Sequence, residues 1–137
     1  IPANSILTPH AGEFKRLVGD FKNGYEQLEA QIKFSKKHKV ILVLKGAYTR
    51  ITTPKGIVFF NSTGNPGMGT PGAGDVLTGI LTSLLGQYKN PVNVAILGVY
   101  LHGLAGDITA EKESYESLIA SDIVKNLGKA YKYIRSS

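Results

Sequence analysis

Hydrophobic and polar positions in the first half of the chain predict strands and helices in succession. The apolar pair Ile6-Leu7 indicates the end of a short strand, and a brief helix is expected over residues 12–18. Residues 25–37 have helical spacing. Three apolar side chains of that helix are expected to face inward: Leu28, Ile32 and Phe34. The continuous run Val40-Ile-Leu-Val-Leu44 is typical of a strand buried on both faces of a parallel sheet.

The second half of the chain predicts a hairpin and then three helices. Residues 48–53 and 57–61 form the hairpin across the turn at 54–56. The first helix covers residues 76–85, with four inward side chains: Leu77, Ile80, Leu81 and Leu84. Asn90-Pro91 supplies a cap and a first-turn proline for a helix over residues 92–110, which is apolar nearly all round and is therefore expected to be buried. Ser121 caps a last amphipathic helix, whose apolar side is formed by Ile123, Leu127, Tyr131 and Ile134.

This alternation of elements predicts an α/β layered fold with ligands bound at the carboxyl ends of the strands. The turns after Leu7 and Leu44 and the loop after Asn61 are expected to open on the same edge of the sheet. No internal repeat or low-complexity segment interrupts the pattern, so residues 1–137 are assigned to a single domain.

The amino-acid composition limits the classes of protein to which the chain can belong. With 137 residues, 42% of them hydrophobic and 19% charged, the chain is expected to be a soluble globular unit with a core of its own. The absence of cysteine excludes disulfides and thiolate chemistry. No stretch approaches the ~20 apolar residues of a membrane span. No signal-like N-terminus is present, but residue 1 is Ile and not Met, so this says nothing about a targeting segment upstream.

The net charge of +6 comes largely from two basic runs. One surrounds a helix end, at Lys33, Lys36, Lys37 and Lys39, and the other follows the last helix, at Lys125, Lys129, Lys132 and Arg135. Such runs usually solubilise a surface. Neither has the interleaved aromatic residues that nucleic-acid binding favours, so no nucleic-acid partner is expected.

A glycine-rich segment ending in a carboxylate is the strongest candidate for a site. Four glycines permit positive φ angles and close approach of a ligand: Gly67, Gly69, Gly72 and Gly74. The helix that follows directs its unpaired N–H groups to the same place. Asp75 is then either a catalytic base or a residue that caps the helix. The segment is neither a P-loop nor a dinucleotide-binding fingerprint.

Several short motifs in the sequence resemble those of a known family. Gly72-Ala-Gly-Asp75 resembles the Gly-x-Gly-Asp signature of ribokinase-like kinases. Five longer segments occur in order along the chain: residues 8–14, 43–49, 61–68, 74–79 and 100–107. Together they resemble the ATP/ADP-dependent NAD(P)H-hydrate dehydratase family, which implies a ribokinase-like α/β/α fold that here lacks the N-terminal part of the domain.

The glycine-rich segment departs from the family pattern at two positions. Pro71 and Ala73 stand where the family usually has glycine and serine. An anion hole made by backbone N–H groups tolerates these changes, although Pro71 donates no hydrogen bond of its own. Ala73 is closer to the form of this loop in sugar kinases.

The resemblance implies a role for each candidate residue. Asp75 is the base that takes a proton from the substrate hydroxyl, and the amides of Gly72 and Gly74 hold the transferred phosphoryl group. The segment that contacts the adenine nucleotide comprises Lys45, Gly46, Ala47, Tyr48 and Thr49. His10 contacts the nicotinamide substrate, and Glu13 orders Mg²⁺; from the residues alone, Glu13 is also a favourable first-turn helix residue.

The resemblance also implies an activity. Such an enzyme uses ADP or ATP to drive loss of water from hydrated NADH or NADPH, as a cytoplasmic homo-oligomer. Two alternatives remain: a kinase for a sugar or vitamin-precursor hydroxyl, which Ala73 favours, and a non-catalytic nucleotide-binding fragment. His102 and Asp107 lie on the apolar helix, so a polar partner is expected for each of them if it is buried.

Overall fold

The structure is a computed structural model that describes residues 1–46, 48–64, 72–112, 126–129 and 132. Contacts group the chain into two compact units. Unit 1 comprises Ile1–Asn61 and Asn90–Ile96, and unit 2 comprises Ser62–Lys89 and Leu97–Ser137. The assignment of residues 1–137 to a single domain stays a prediction.

Unit 1 contains a four-stranded sheet in the order β1-β2-β3-β4. Its strands are β1 (Ile6–Leu7), β2 (Ile41–Leu44), β3 (Arg50–Thr52) and β4 (Val58–Phe60). The predicted hairpin is confirmed, because β3 and β4 are antiparallel neighbours. The sheet is mixed and not parallel as predicted: β2 is parallel to β1 but antiparallel to β3. The short connection from β2 to β3 favours this pairing, since a parallel pair needs a long crossover.

The strand directions place the candidate loops at one edge of this sheet. Because β1, β2 and β4 run the same way, their carboxyl ends lie at the same edge as the start of β3. The turns after Leu7 and Leu44 and the end of β4 at Asn61 therefore open on one edge, as predicted. The prediction that β2 is buried on both faces is also confirmed, since all of its side chains are buried.

Two helices, α1 (Ala11–Val18) and α2 (Gly24–His38), belong to unit 1. Phe14 of α1 is fully buried against Leu42 and Leu44 of β2. Its ring stacks on Phe21 at 5.6 Å between centroids and meets the edge of Phe34 at 6.2 Å. An aromatic cluster thus holds α1 over the sheet.

The buried face of α2 differs from the prediction. The predicted inward residues are partly buried: Leu28, Ile32 and Phe34. Of these, Phe34 packs against the Phe14 cluster as predicted. The fully buried side chains of the helix are the polar residues Gln31 and Ser35. The physical reason is that the sheet offers hydrogen-bond partners there. The Gln31 Nε2 donates to the carbonyl oxygens of Leu42 and Arg50, each at 3.1 Å. The Ser35 hydroxyl lies 2.6 Å from the Thr52 hydroxyl.

Unit 2 contains helix α3 (Ala73–Leu85) and most of helix α4 (Pro91–Lys112), whose first turns up to Ile96 belong to unit 1. Helix α3 starts three residues before the prediction, and its predicted inward residues are all buried: Leu77, Ile80, Leu81 and Leu84. The cap of α4 is confirmed, because the Asn90 Oδ1 accepts from the N–H groups of Val92 and Asn93 at 3.0 and 3.2 Å.

Helix α4 is the most apolar element. By length and composition alone, Pro91–Glu111 is able to cross a membrane, so the expectation that no stretch approaches such a span is wrong. A core helix of a soluble protein passes the same test. The predicted burial is confirmed at five apolar positions: Val94, Ala95, Val99, Leu101 and Ala105. Within unit 2, a Cβ added at Gly98 would lie 2.6 Å from the Leu81 Cδ2, so α3 packs closely on this turn of α4.

Only part of the predicted last helix falls within the described residues. Residues 126–129 are helical, Leu127 is partly buried, and the buried Asn126 donates to the Thr109 Oγ1 at 2.9 Å. The predicted cap and three of the predicted apolar residues lie outside the described part of the chain: Ser121, Ile123, Tyr131 and Ile134.

Candidate active site

The structure of unit 1 brings His10 next to Lys45. Both residues follow the carboxyl end of a strand, and they form an isolated parallel bridge. The Lys45 N–H donates to the Pro9 carbonyl at 3.0 Å. The segment predicted to contact the substrate is therefore joined through the backbone to the start of the segment predicted to contact the nucleotide.

His10 and Glu13 form a reciprocal cap at the start of α1. The His10 Nδ1 accepts from the Glu13 N–H at 3.2 Å, and the Glu13 Oε1 accepts from the His10 N–H at 3.1 Å. The His10 Nε2 lies 3.3 Å from the same Oε1. This is a capping box with histidine in the place of the usual serine or threonine. It orients both half-exposed side chains and leaves the Glu13 Oε2 outside these contacts.

The environment keeps Glu13 ionised. The hydrogen bond from the His10 backbone N–H is the largest cause that lowers the pKa of Glu13 below its ordinary value of 4.5. The positive charges of Lys45 and Arg16 act in the same direction. A carboxylate that is ionised, half-exposed and oriented by its own helix is able to bind a cation or a cation-bound water.

The nucleotide segment lies at the same edge of the sheet. A Cβ added at Gly46 would meet no atom within 4 Å, so open space adjoins this backbone. Tyr48 is 83% exposed. The Thr49 carbonyl accepts from the Asn61 N–H at 3.0 Å, which extends the hairpin towards the loop. Ala47, the fifth predicted residue, lies outside the described residues.

In unit 2, Asp75 lies in the first turn of α3. The N-cap of this helix is Gly72, which has φ +86° and supplies no side-chain hydrogen bond. Asp75 is exposed and, within the described part of the chain, its carboxylate makes no hydrogen bond or ion pair. The alternative that Asp75 caps the helix is thus not the arrangement found, because Gly72 occupies that position.

The start of α3 also provides backbone donors. The Gly72 carbonyl accepts from the Val76 N–H at 3.1 Å, so the N–H groups of the preceding helical residues, Ala73, Gly74 and Asp75, have no partner within the helix. Three members of the glycine-rich segment lie outside the described residues: Gly67, Gly69 and Pro71.

Carboxylates do not cluster in the part of the chain that the structure describes. Within residues 1–46, 48–64, 72–112, 126–129 and 132, no group of three or more His, Cys, Asp or Glu residues is placed to hold a metal ion. A metal at Glu13 would therefore need ligands from a bound molecule and from water, as is usual for Mg²⁺ with nucleotide phosphates.

Asp107 makes a hydrogen bond whose partner could not be identified from the sequence. It lies partly buried on α4, and its Oδ2 accepts from the Gly64 N–H at 3.0 Å. The expectation of a polar partner is confirmed for this residue. The signal in the sequence was a carboxylate on an apolar helix, but nothing in the sequence identified the partner.

Comparison with known proteins now identifies the family. A family model described as NAD(P)H-hydrate dehydratase matches residues 2–129. The chain belongs to the NAD(P)H-hydrate dehydratase family. Among curated proteins, it is 46% identical over 121 residues to a bifunctional NAD(P)H-hydrate repair enzyme, Nnr, from Moorella thermoacetica. That match covers 87% of the chain and 23% of the relative.

Solved structures of relatives confirm the predicted ribokinase-like fold. The ADP/ATP-dependent NAD(P)H-hydrate dehydratase from Bacillus subtilis, co-crystallised with ATP and Mg²⁺, matches with a TM-score of 0.89 and 31% identity. The match covers 95% of this chain and 48% of that one. A ribokinase-like superfamily protein from Enterococcus faecalis has a TM-score of 0.75 and 37% identity, over 93% of this chain and 44% of that one. This member of the dehydratase family thus spans a quarter to a half of the length of these relatives.

Proposed function

We propose that this protein uses ADP or ATP to dehydrate the hydrated form of NADH or NADPH. Membership of the dehydratase family supports this activity, as do the names of the relatives, which include an ADP/ATP-dependent dehydratase and a hydrate repair enzyme. The observation that carries the proposal is the Asp75 carboxylate, which is exposed and lacks a partner among the described residues at the start of α3.

The proposed reaction makes a poor leaving group into a good one. The C6 hydroxyl of the hydrate attacks the terminal phosphorus of the nucleotide, so that a new P–O bond forms while the bond to the nucleotide leaving group breaks. Asp75 accepts the hydroxyl proton in this step. The C–O bond then breaks with release of inorganic phosphate, and loss of a proton from the adjacent carbon restores the double bond of the reduced nicotinamide.

Backbone groups at the start of α3 are proposed to stabilise the transferred phosphoryl group. The N–H groups of Gly72 and Gly74 lie where the positive end of the helix dipole favours an anion. Negative charge on the phosphoryl oxygens develops in the transition state, so donors that are already oriented lower its energy.

Glu13 is proposed to hold Mg²⁺, and the residues present fit that ion. The side chain offers a hard oxygen, its pKa is lowered, and its Oε2 lies outside the capping contacts. When bound at Glu13, Mg²⁺ would neutralise phosphate charge. His10 is oriented through the same cap and is proposed to contact the nicotinamide.

The nucleotide is proposed to bind along Lys45–Thr49. Lys45 is partly buried beside His10, while the open space at Gly46 and the exposed Tyr48 ring leave room for a ligand. Loss of the Lys45 charge in Lys45→Met should weaken ADP binding, which calorimetry on the full-length protein measures. Unchanged affinity would contradict this assignment.

The decisive experiment compares Asp75→Asn with wild-type full-length protein. NADH hydrate, Mg²⁺ and either ADP or ATP are supplied, and both the return of reduced-nicotinamide absorbance and the release of phosphate are followed. We expect wild type to recover the absorbance and Asp75→Asn to lose at least ~100-fold in rate, the scale of a general base. Asp20→Asn is the matched control, since it removes an exposed carboxylate whose ion pair, among the described residues, is with Lys15 at 3.0 Å.

A kinase is the second candidate, because Ala73 matches the sugar-kinase form of the loop and lies buried at the first turn of α3. The products separate the two functions. A kinase leaves a stable phosphoester, whereas the dehydratase releases inorganic phosphate. A third possibility, a non-catalytic nucleotide-binding protein, would bind ADP in calorimetry without turning over any of these substrates.

A further inference from the structure

Helix α4 contacts the chain on both sides of residues 65–71, the part of the glycine-rich segment that lies outside the described residues. On one side, residues 63–64 lie against its later turns. On the other side, the segment continues into α3, whose Leu81 and Leu84 pack against Gly98 of α4. All of these contacts are within unit 2.

The first anchor is the hydrogen bond between Gly64 and Asp107. The Gly64 N–H donates to the Asp107 Oδ2 at 3.0 Å, and Gly64 has φ +109°, in a region that non-glycine residues rarely adopt. A hydrogen bond to a carboxylate is stronger than one between neutral groups. It ties a turn of the backbone that favours glycine to a helix.

The second anchor is the close approach of Thr63 to Gly103. The Thr63 Oγ1 donates to the Tyr100 carbonyl at 2.9 Å. A Cβ at Gly103 would collide with the Thr63 hydroxyl and would lie 2.7 Å from the Thr63 carbonyl carbon. Any larger residue at position 103 must therefore displace the backbone of Thr63.

We propose that Asp107 and Gly103 position the backbone that enters the glycine-rich segment, and through it the phosphoryl-binding turn that ends at Asp75. This inference rests on the proposed function. Asp107 touches neither substrate nor phosphate in this role; it acts through the Gly64 N–H. The physical reason is that the backbone donors at residues 72–75 stabilise a transition state only when they are already in place, so the chain that leads to them must be held at residues 63–64 as well as in α3.

Three variants at two positions test the first anchor. Asp107→Ala removes the acceptor, Asp107→Asn keeps a neutral one, and Thr109→Val removes a buried hydroxyl on the same helix that bonds to Ala105 and Asn126. We expect Asp107→Ala to lower kcat by about 10- to 100-fold with the KM for ADP little changed, since small displacements cost this much. Asp107→Asn should recover most of that loss, and Thr109→Val should lower stability without lowering kcat.

A matched pair of glycine variants tests the second anchor. Gly103→Ala and Gly128→Ala each add a methyl group to a helical residue of unit 2, but the first meets the backbone of Thr63 and the second meets no atom within 4 Å. Gly103→Ala should therefore lower kcat as Asp107→Ala does. Gly128→Ala should keep kcat within about twofold of wild type, because its methyl group enters open space on an exposed helical position.

Amide hydrogen exchange at Gly64 provides a measurement that does not depend on turnover. In the full-length protein, Asp107→Ala should speed this exchange by about 10- to 100-fold, the effect of losing one hydrogen bond to a carboxylate, while Thr109→Val leaves it unchanged. Unchanged exchange in Asp107→Ala would overturn the anchor itself. Faster exchange with wild-type kcat would overturn its role in positioning.

Assays of the wild-type protein test the proposed function separately. If wild type binds ADP but fails to restore reduced nicotinamide, the dehydratase proposal fails. Release of phosphate or formation of a phosphoester from another hydroxyl substrate then supplies the kcat for the same comparison. Equal losses in Gly128→Ala and Gly103→Ala would overturn the inference under either activity.

Discussion

Replacing the buried Gln31 tests whether polar contacts hold helix α2 on the sheet. The Gln31 side chain is 0% exposed, and its Nε2 donates to the carbonyl oxygens of Leu42 and Arg50 at 3.1 Å each. Its Oε1 has no hydrogen-bond partner within the described part of the chain. Gln31→Met keeps the volume but removes both the two useful donors and the unpaired acceptor.

The sizes of two opposing contributions decide whether Gln31→Met stabilises or destabilises the protein. Each hydrogen bond contributes about 1 kcal/mol net, and removing the buried Oε1 returns about 1 kcal/mol of its desolvation cost. Gln31→Met should therefore lower the free energy of unfolding by about 1 kcal/mol. Gln31→Ala also loses the buried γ-methylene, at about 0.8 kcal/mol, so its loss should be about 2 kcal/mol.

Urea unfolding of the full-length protein, followed by circular dichroism, measures these differences. The exposed Gln87→Met is the matched control, and its effect should stay within about 0.5 kcal/mol. A Gln31→Met protein as stable as wild type would refute the argument that the two donors outweigh the unpaired oxygen. Equal losses in Gln31→Met and Gln31→Ala would show that packing at this position contributes nothing.

Three further predictions concern local contacts. The backbone N–H of His10 lowers the pKa of Glu13 below 4.5. The stability that Glu13 adds is therefore present above pH 4.5 and is lost as the pH falls through the lowered pKa. When unfolding is measured against pH, Glu13→Gln should remove this acid dependence. Asn90→Ala removes the cap of α4 and should cost about 1 kcal/mol in urea unfolding, whereas Asn90→Ser should restore most of it. Phe14→Ala empties the centre of the aromatic cluster and should cost about 3–5 kcal/mol by the same assay; a loss below that of Asn90→Ala would contradict the burial described.

Short-range interactions explain why several elements were predictable. Asn90 bonds to N–H groups two and three residues ahead, and His10 bonds to one three residues ahead, so these helix starts depend on neighbours in the chain. The all-apolar run of β2 leaves little choice but burial. The motifs that indicated the family were also visible in the sequence, because each of them consists of consecutive residues.

Long-range partners explain what the sequence left undecided. The sequence did not indicate that Gln31 is buried, because its hydrogen-bond partners Leu42 and Arg50 are 11 and 19 residues away. The direction of β3 depended on how the chain returns beside β2.

What the sequence by itself determined is the set of local elements, the family and the candidate residues for chemistry. What only the tertiary structure decided is which distant groups meet. The Gly64 N–H reaches Asp107 across 43 residues, Thr63 fits against Gly103, and polar side chains of α2 bond to the sheet. The physical reason is that periodicity and capping depend on side chains a few positions apart, whereas these contacts exist only after the helices and strands have packed.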